Sequence, residues 1–528
     1  MTAPNGEEET GRGALHVGAG ILASRLVGLI RQRALAHYLG LSFAADAFNA
    51  AFRIPNFLQN LFGEGVLSAS FIPVYARLLA EGDETEAAHT ASVVATLLAL
   101  VTSLLVLLGV VATPQLIGLI APGFEGAKRD LTISLVRMLF PGAGLLVLSA
   151  WCLGVLNSHR RFLLSYAAPI AWNVAIIVAL VIAGADASPQ KLAIWAAGGS
   201  VAGSALQLLV QLPVVRKLVP RAAPSLAIGS RHARTVLANF FPVFVGRGVV
   251  QISAYVDTLI ASFLPGGAVA ALASAQVLYT LPVSLFGMSV SAAELPAMSS
   301  VTGGPNAIAA ALRTRLERGL RRIAFLVIPS AVAFLVLGDV VAGALFQTGH
   351  FSHQDTLYVW GILMGSAVGL LASTLGRLYA SAFYALRDTR TPLRFALVRV
   401  ALTTGLGFLF ALTLPPILGI EARWGAAGLT ASAGIAGWVE FVLLRRALRA
   451  RIGFAAPTAA YLARLWIAAG AAAGLAFALQ VAIGALHPIV VALLVLLPYG
   501  TAYFVLTALL KVDEGRALID AFHRRRGA

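Results

Sequence analysis

The chain alternates long apolar runs with short polar punctuation. Runs of about 20 residues or more, the length a helix needs to cross a bilayer, fall near residues 14–40, 43–63, 88–120, 131–156, 163–184 and 190–215. Six more lie near 235–264, 268–298, 320–346, 356–384, 392–415 and 425–446, and a last pair near 458–484 and 487–511. This pattern predicts an all-α polytopic membrane protein of about fourteen transmembrane helices, arranged as two pseudo-symmetric six-helix lobes and a C-terminal pair. The segments would be a tail over 1–13, an N-lobe over 14–217, a linker over 218–234, a C-lobe over 235–451, two final helices over 452–511 and a basic tail over 512–528.

The first two runs break the apolar rule. Between Ala23 and Gly65 they carry Arg25, Arg31, Arg33, Asp46, Arg53 and Glu64. An ionisable side chain at membrane depth costs several kcal/mol unless it faces a partner or a wet cavity, so a polar cavity inside a helix bundle is expected. On a helix Ser24, Gly28 and Arg31 share one face and Arg25 lies a quarter-turn round. Arg25 and Arg31 can therefore flank one cavity, while Arg33, nearer the outer end, snorkels to the interface. Asp46 lies within reach of these arginines as an ion-pair partner or proton carrier. Asn49 and Arg53 continue the polar lining, followed by Asn56, Gln59 and Asn60 toward the inner end. Guanidinium groups bind phosphate bidentately and stay charged when desolvated, which suits an anionic phosphorylated substrate. In the second half Arg247, Asp257, Gln276 and Glu294 are polar residues within apolar stretches. Arg247 is the candidate to oppose Arg25, and Asp46 and Asp257 are candidates for coupling to an ion or to the membrane potential.

Composition agrees: 59% of residues are hydrophobic and 12% charged, with a mean hydropathy of +0.85, values that no soluble domain of this size tolerates. The net charge of +16 tracks topology rather than nucleic acid. With the N-terminus inside, the even-numbered loops and the tail hold the basic clusters, including Arg160–Arg161, Arg216–Lys217, Arg321–Arg322, Arg387–Arg390, Arg445–Arg446 and Arg524–Arg526, whereas the opposite loops hold only Lys128, Arg129, Lys191 and Arg423. Both termini are then cytoplasmic. The acidic start does not read as a cleaved signal peptide. The single cysteine, Cys152, lies mid-segment and reads as a packing residue. No nucleotide-binding, zinc-hydrolase or nucleophile-elbow motif occurs, and His350 with His353 is a weak metal signal. A non-enzymatic protein is expected, without a cofactor beyond a coupling ion or the membrane potential.

The halves look related. Pro55 and Pro73 stand around Gly63 and Gly65, with Glu64 between the glycines; Pro282 and Pro296 stand around Gly287. Each set reads as a broken helix, making Pro55, Glu64, Gly65 and Pro282 gate or helix-break candidates, since proline frees carbonyls most easily beside a cavity. Ser24-Arg25 and Gly246-Arg247 each lie about thirty residues upstream of these prolines, and LNSHRRFLLSYAAP and ALRDTRTPLRF are similar basic turns before apolar runs. Paired repeats around a central site are common in transporters.

The run from Ser24 to Ala76, with Ser-Arg, Ala-Asp-Ala-Phe, Phe-Arg-Ile-Pro-Asn, Phe-Gly-Glu-Gly and Phe-Ile-Pro in order, resembles the start of the MurJ (MviN) lipid II flippases of the multidrug/oligosaccharidyl-lipid/polysaccharide exporter superfamily. APGF at 121–124, the turn at 156–162, LFQTGHF at 345–351 and the turn at 385–392 extend the likeness. The resemblance implies a cationic cavity open to one side at a time, a lipid-tail groove on the last two helices, and transfer of undecaprenyl-pyrophosphate-linked peptidoglycan precursor (lipid II) to the periplasmic leaflet of the inner membrane, in support of cell-wall biogenesis and cell shape. It places the family's cavity arginines at Arg25 and Arg31 and its acidic residue at Asp46. Gln59, and Ala275-Gln276, stand where many members carry arginine and Asp-Arg, and Arg247 could supply the missing cation. The alternatives are a flippase for another polyprenyl-linked glycan, a drug antiporter of the same superfamily, a membrane enzyme acting on polyprenyl phosphates, or a scaffold for cell-wall synthesis proteins.

Overall fold

The computed structural model describes residues 5–517 apart from 222, 228, 454, 455 and 485, and excludes the side chains of 5–19, 21, 54, 64, 242, 243, 245–254 and 305. Its regular structure is helical. In order these helices are α1 (Asn5–Leu39), α2 (Phe43–Phe62), α3 (Glu64–Ser70), α4 (Ile72–Ala80), α5 (Glu84–Val111), α6 (Thr113–Ile120), α7 (Gly126–Ser158), α8 (Phe162–Ala183), α9 (Pro189–Leu218) and α10 (Arg231–Ser262). Then come α11 (Ala268–Pro282), α12 (Ser289–Ser299), α13 (Pro305–Val336), α14 (Gly338–Phe346), α15 (His353–Ala385), α16 (Arg390–Phe408), α17 (Leu414–Ile417), α18 (Gly425–Ile452), α19 (Ala459–Ile483) and α20 (Pro488–Leu509). Short π-helical stretches, Val283–Met288 and Leu409–Thr413, join α11 to α12 and α16 to α17.

Polar caps fix where helices begin. The side chains of Ser42, Asp83, Ser188, Ser230 and Thr458 accept bonds from amides of the first turn of α2, α5, α9, α10 and α19, and Ser352 with Asp355 forms a reciprocal capping box on α15. Among the described residues, eleven helical stretches are long and apolar enough to cross a membrane. α2 falls short of that measure because Asp46, Asn49, Arg53, Asn56, Gln59 and Asn60 crowd its twenty residues.

Packing divides the described chain into two compact units, one within Met1–Val269 together with Thr348–His350, the other within Ala270–Gln347 and Phe351–Ala528. α10, which the repeat assigned to the C-lobe, packs on α3, α2 and α6 and so belongs by contact to the first unit. That unit's inner core gathers Phe62, Phe71, Tyr75, Val147, Val236 and the fully buried Cys152. The Gly-Phe of the APGF motif serves close approach: the Gly123 amide donates to Ser262 Oγ at 3.0 Å, and a Cβ there would lie 2.3 Å from the Ser262 carbonyl oxygen.

In the second unit α15 packs on α18 and α13. Gly369 and Gly434 let the backbones of α15 and α18 meet, since a Cβ on Gly369 would sit 2.4 Å from the Gly434 Cα. Pro329, inside α13, cannot donate to the Phe325 carbonyl. Tyr503 of α20 does so instead at 2.6 Å, and Tyr499 donates to the Pro329 carbonyl at 2.7 Å, the inter-helix satisfaction that lipid demands.

Candidate functional site

The face formed by Ser24, Gly28 and Arg31 opens onto a cavity of about 330 Å³ within the first unit, also lined by Gln59, Ser149, Trp172, Asn173 and Gln207. Its walls come from α1, α2, α7, α8 and α9. The Arg31 guanidinium lies over the Trp172 ring, 4.8 Å from its centre, with Phe52 at 5.9 Å. Cation–π attraction of this kind is worth about 2 kcal/mol when desolvated and holds the cation at the wall, where no salt bridge to it occurs among the described residues. Its Nε is buried and has no hydrogen-bond partner among the described residues. Another part of the lining is a relay of neutral dipoles: Gln207 Nε2 donates to Ser149 Oγ at 2.9 Å, and Ser149 Oγ donates to Gln211 Oε1 at 3.0 Å. The Trp172 indole N–H donates to Ser200 Oγ at 3.2 Å, and Asn173 Nδ2 to the Pro169 carbonyl at 3.0 Å. A cation on an aromatic shelf, faced by hydroxyl and amide groups that can donate, suits an oxyanion.

The other expected residues are dispersed. Arg25 is exposed and does not line this cavity. Asp46 is buried, and its partners include Lys128 Nζ at 2.6 Å and the Gly267 amide at 2.7 Å, with Lys128 4.0 Å from the centre of the Phe124 ring. Asn49 Nδ2 turns back to the Ala45 carbonyl of its own helix. Arg53 is half-buried, within electrostatic range of Asp257 and Tyr255, and its carbonyl accepts from the Tyr255 hydroxyl at 2.8 Å. The Arg247 and Glu64 side chains lie outside the described residues. Gln276 is exposed in the second unit and bonds Thr280 Oγ1 at 3.1 Å, and Glu294 meets Arg315 at 3.7 Å.

The break candidates differ in kind. α2 runs through Pro55 unbroken, and the chain parts instead at Gly63, where a Cβ would stand 2.1 Å from the Gln59 carbonyl oxygen. Gly65 is a half-buried residue of α3. Pro282 does mark a change, the start of the π-helical stretch Val283–Met288.

Sequence reasoning missed Lys128 as a partner of Asp46, the Trp172 shelf and the relay of Ser149, Gln207 and Gln211. It also passed over Arg377, Arg399 and Glu440, charged residues away from the ends of the runs at 356–384, 392–415 and 425–446, which the criterion applied to Arg25 would have found. Among the described residues no group of three or more His, Cys, Asp or Glu is placed to hold a metal ion.

Known proteins resemble the chain throughout. It is 34% identical over 482 residues to a "Probable lipid II flippase MurJ" of Rhizobium meliloti, covering 88% of this chain and 85% of that one. It is 31% identical over 447 residues to the "Lipid II flippase MurJ" of Burkholderia cenocepacia, covering 83% and 84%. A solved "Lipid II flippase MurJ, inward closed conformation" superposes with a TM-score of 0.77 over 95% of this chain and 99% of that one at 23% identity. An inward-facing multidrug resistance MATE family transporter gives 0.63 over 81% and 95% at 18% identity, a likeness of fold. The sequence profile described as "Lipid II flippase MurJ" matches residues 35–499, from the C-terminal end of α1 into α20. A polytopic helical fold with an arginine-bearing polar cavity thus coincides with sequence similarity along most of its length, and the chain belongs to the lipid II flippase MurJ family.

Proposed function

We propose that the chain moves lipid II from the cytoplasmic to the periplasmic leaflet of the bacterial inner membrane by alternating access, crossing the membrane fourteen times with both termini in the cytoplasm. Family membership supports the substrate. The observation that carries the mechanism is the Arg31 guanidinium on the Trp172 shelf, in a cavity of about 330 Å³, room for roughly ten waters at about 30 Å³ each and so for a hydrated diphosphate. Arg31 would hold the pyrophosphate, Ser24, Gln59 and Gln207 would offer hydroxyl and amide donors, and the prenyl chain would stay in lipid. A cationic drug would meet repulsion in such a cavity.

A bound ligand shifts a conformational equilibrium only by its differential affinity for the two states. Directional transport therefore needs a second input, and the membrane potential or an ion acting through Asp46 or Asp257 would supply it. Recruitment of cell-wall synthesis proteins would be a separate property.

The test is a strain depleted of its own flippase, with lipid II exposed at the outer leaflet as the readout. The unaltered chain should restore exposure. Arg31→Ala should lower it by about tenfold or more, the loss of one charge-assisted phosphate contact. Full exposure with Arg31→Ala would remove the cavity from the mechanism, and none with the unaltered chain would remove the function.

A further inference from the structure

Three charged residues of the second unit occupy membrane depth outside the cavity described above. Arg399 is on α16, Glu440 on α18 and Arg377 on α15, and α18 packs against both other helices. Each lies well inside an apolar span. Arg399 does not snorkel. Taking 100° per residue, it points to the side of α16 opposite the exposed Leu393, Leu397 and Phe408, and its Nη1 stands 3.3 Å from Glu440 Oε2.

That pairing is loose. A charge-assisted N–H to carboxylate bond ordinarily closes to about 2.7–2.9 Å, as Arg451 and Asp388 do in the same unit at 2.6 Å. Arg399 thus keeps donors for another acceptor, and Arg377, whose side chain is exposed, lies within electrostatic range of the same carboxylate. The Tyr279 hydroxyl, 2.8 Å from Ser373 Oγ, is within range of both arginines. Ser373 precedes Arg377 by one turn, and the exposed Gln276 precedes Tyr279 by one turn, so neutral donors border the two cations. Two guanidiniums against one carboxylate leave a net positive charge at a depth where charge is costly unless complemented.

We propose that Arg377 and Arg399 form a phosphate subsite in the second unit, in which Glu440 serves as an internal stand-in for the anion and is displaced from Arg399 when a phosphate arrives. This rests on the proposed lipid II function, for which it supplies a second cationic station.

The experiment measures binding of fluorescent lipid II to the full chain in zwitterionic nanodiscs, with inorganic pyrophosphate as competitor and melting as the check on folding. The Arg377→Gln, Arg399→Gln chain should bind about tenfold more weakly or worse and with a flatter salt dependence. Arg399→Lys, which keeps the charge but loses the fork, should fall between. Glu440→Gln, which frees Arg399, should bind at least as tightly as the unaltered chain. If the double variant or, should it fail to fold, Arg399→Lys binds like the unaltered chain while Arg31→Ala does not, the subsite is overturned and the function stands. Weakening by Glu440→Gln equal to that of the arginine variants makes the cluster structural and overturns the subsite too. No binding by the unaltered chain overturns both. Repeating the series with phosphatidylglycerol discs separates sources: competition by this lipid that vanishes in the double variant assigns the site to bilayer headgroups, and its absence assigns it to the lipid-linked diphosphate.

Discussion

A carboxylate that is only 1% exposed must have its charge met locally, and Asp46 has it met by the Lys128 ammonium and the Gly267 amide. Removing one member of a buried pair strands the other, at about 3–5 kcal/mol. Asp46→Ala should therefore lower the melting midpoint markedly, and adding Lys128→Met should recover part of the loss, since a methionine over the Phe124 ring needs no counter-charge. Equal melting of the single and double variants would show that the pair is not coupled. Asp46 could be singled out in the sequence because a charge among alanines and phenylalanines is anomalous on its own. Its partner could not, because Lys128 lies 82 residues away at the start of another helix, where a lysine looks like an ordinary solvated end. Arg31 was legible for the same reason as Asp46. Its shelf was not, since a tryptophan in an apolar run carries no signal until folding brings α8 against α1.

At the scale of elements, helix ends were easier to foresee than helix breaks. Serine, threonine and aspartate caps stand where the polar punctuation begins. Pro55 was flagged by its chemistry, yet the α2–α3 break falls at Gly63, where steric room decides. The turn after α7 adds a pH dependence. The Tyr75 hydroxyl of α4 lies 3.0 Å from Nε2 of His159. Burial pushes the tyrosine up to about 12, so it remains a donor, and neutral Nε2 accepts. Burial, and then the charge of Arg161, hold the histidine below its ordinary 6.5, with Glu84 opposing. The unfolded chain then binds the proton more readily, so this group's contribution is complete above about pH 6.5 and is lost as pH falls through that value toward the folded pKa. Melting midpoints should drop between about pH 7 and pH 5, and His159→Gln should flatten the drop; an unchanged slope would remove the histidine as its cause.

For the whole molecule, hydropathy made the helical architecture legible, because lipid leaves few other ways to satisfy a backbone. The packing units were less so: α10 joins the first unit through contacts with α3 and α2 that no repeat announces. The proposed orientation follows from charge and can be read directly, since the one native thiol, Cys152, is buried. A cysteine placed at the exposed Asp186 should react with an impermeant maleimide from outside intact spheroplasts. One at the exposed Pro224 should react only after lysis, and the reverse pattern would invert the topology.

Three turns of that charge pattern, after α7, α15 and α20, carry a less visible tension. Arg160, Arg387 and Lys511 each sit at φ near 60° just after a helix, in the same closure, with amides reaching back to Asn157 and Leu156, Tyr384 and Phe383, Ala508 and Thr507. A side chain in that conformation costs about 1 kcal/mol, which glycine would spare. The cost is borne only by the finished fold, whereas a positive charge also acts earlier, while helices are being handed into the bilayer. A redesign guided by thermal stability alone would put glycine at these positions first, and would trade away part of the charge on which the proposed orientation rests.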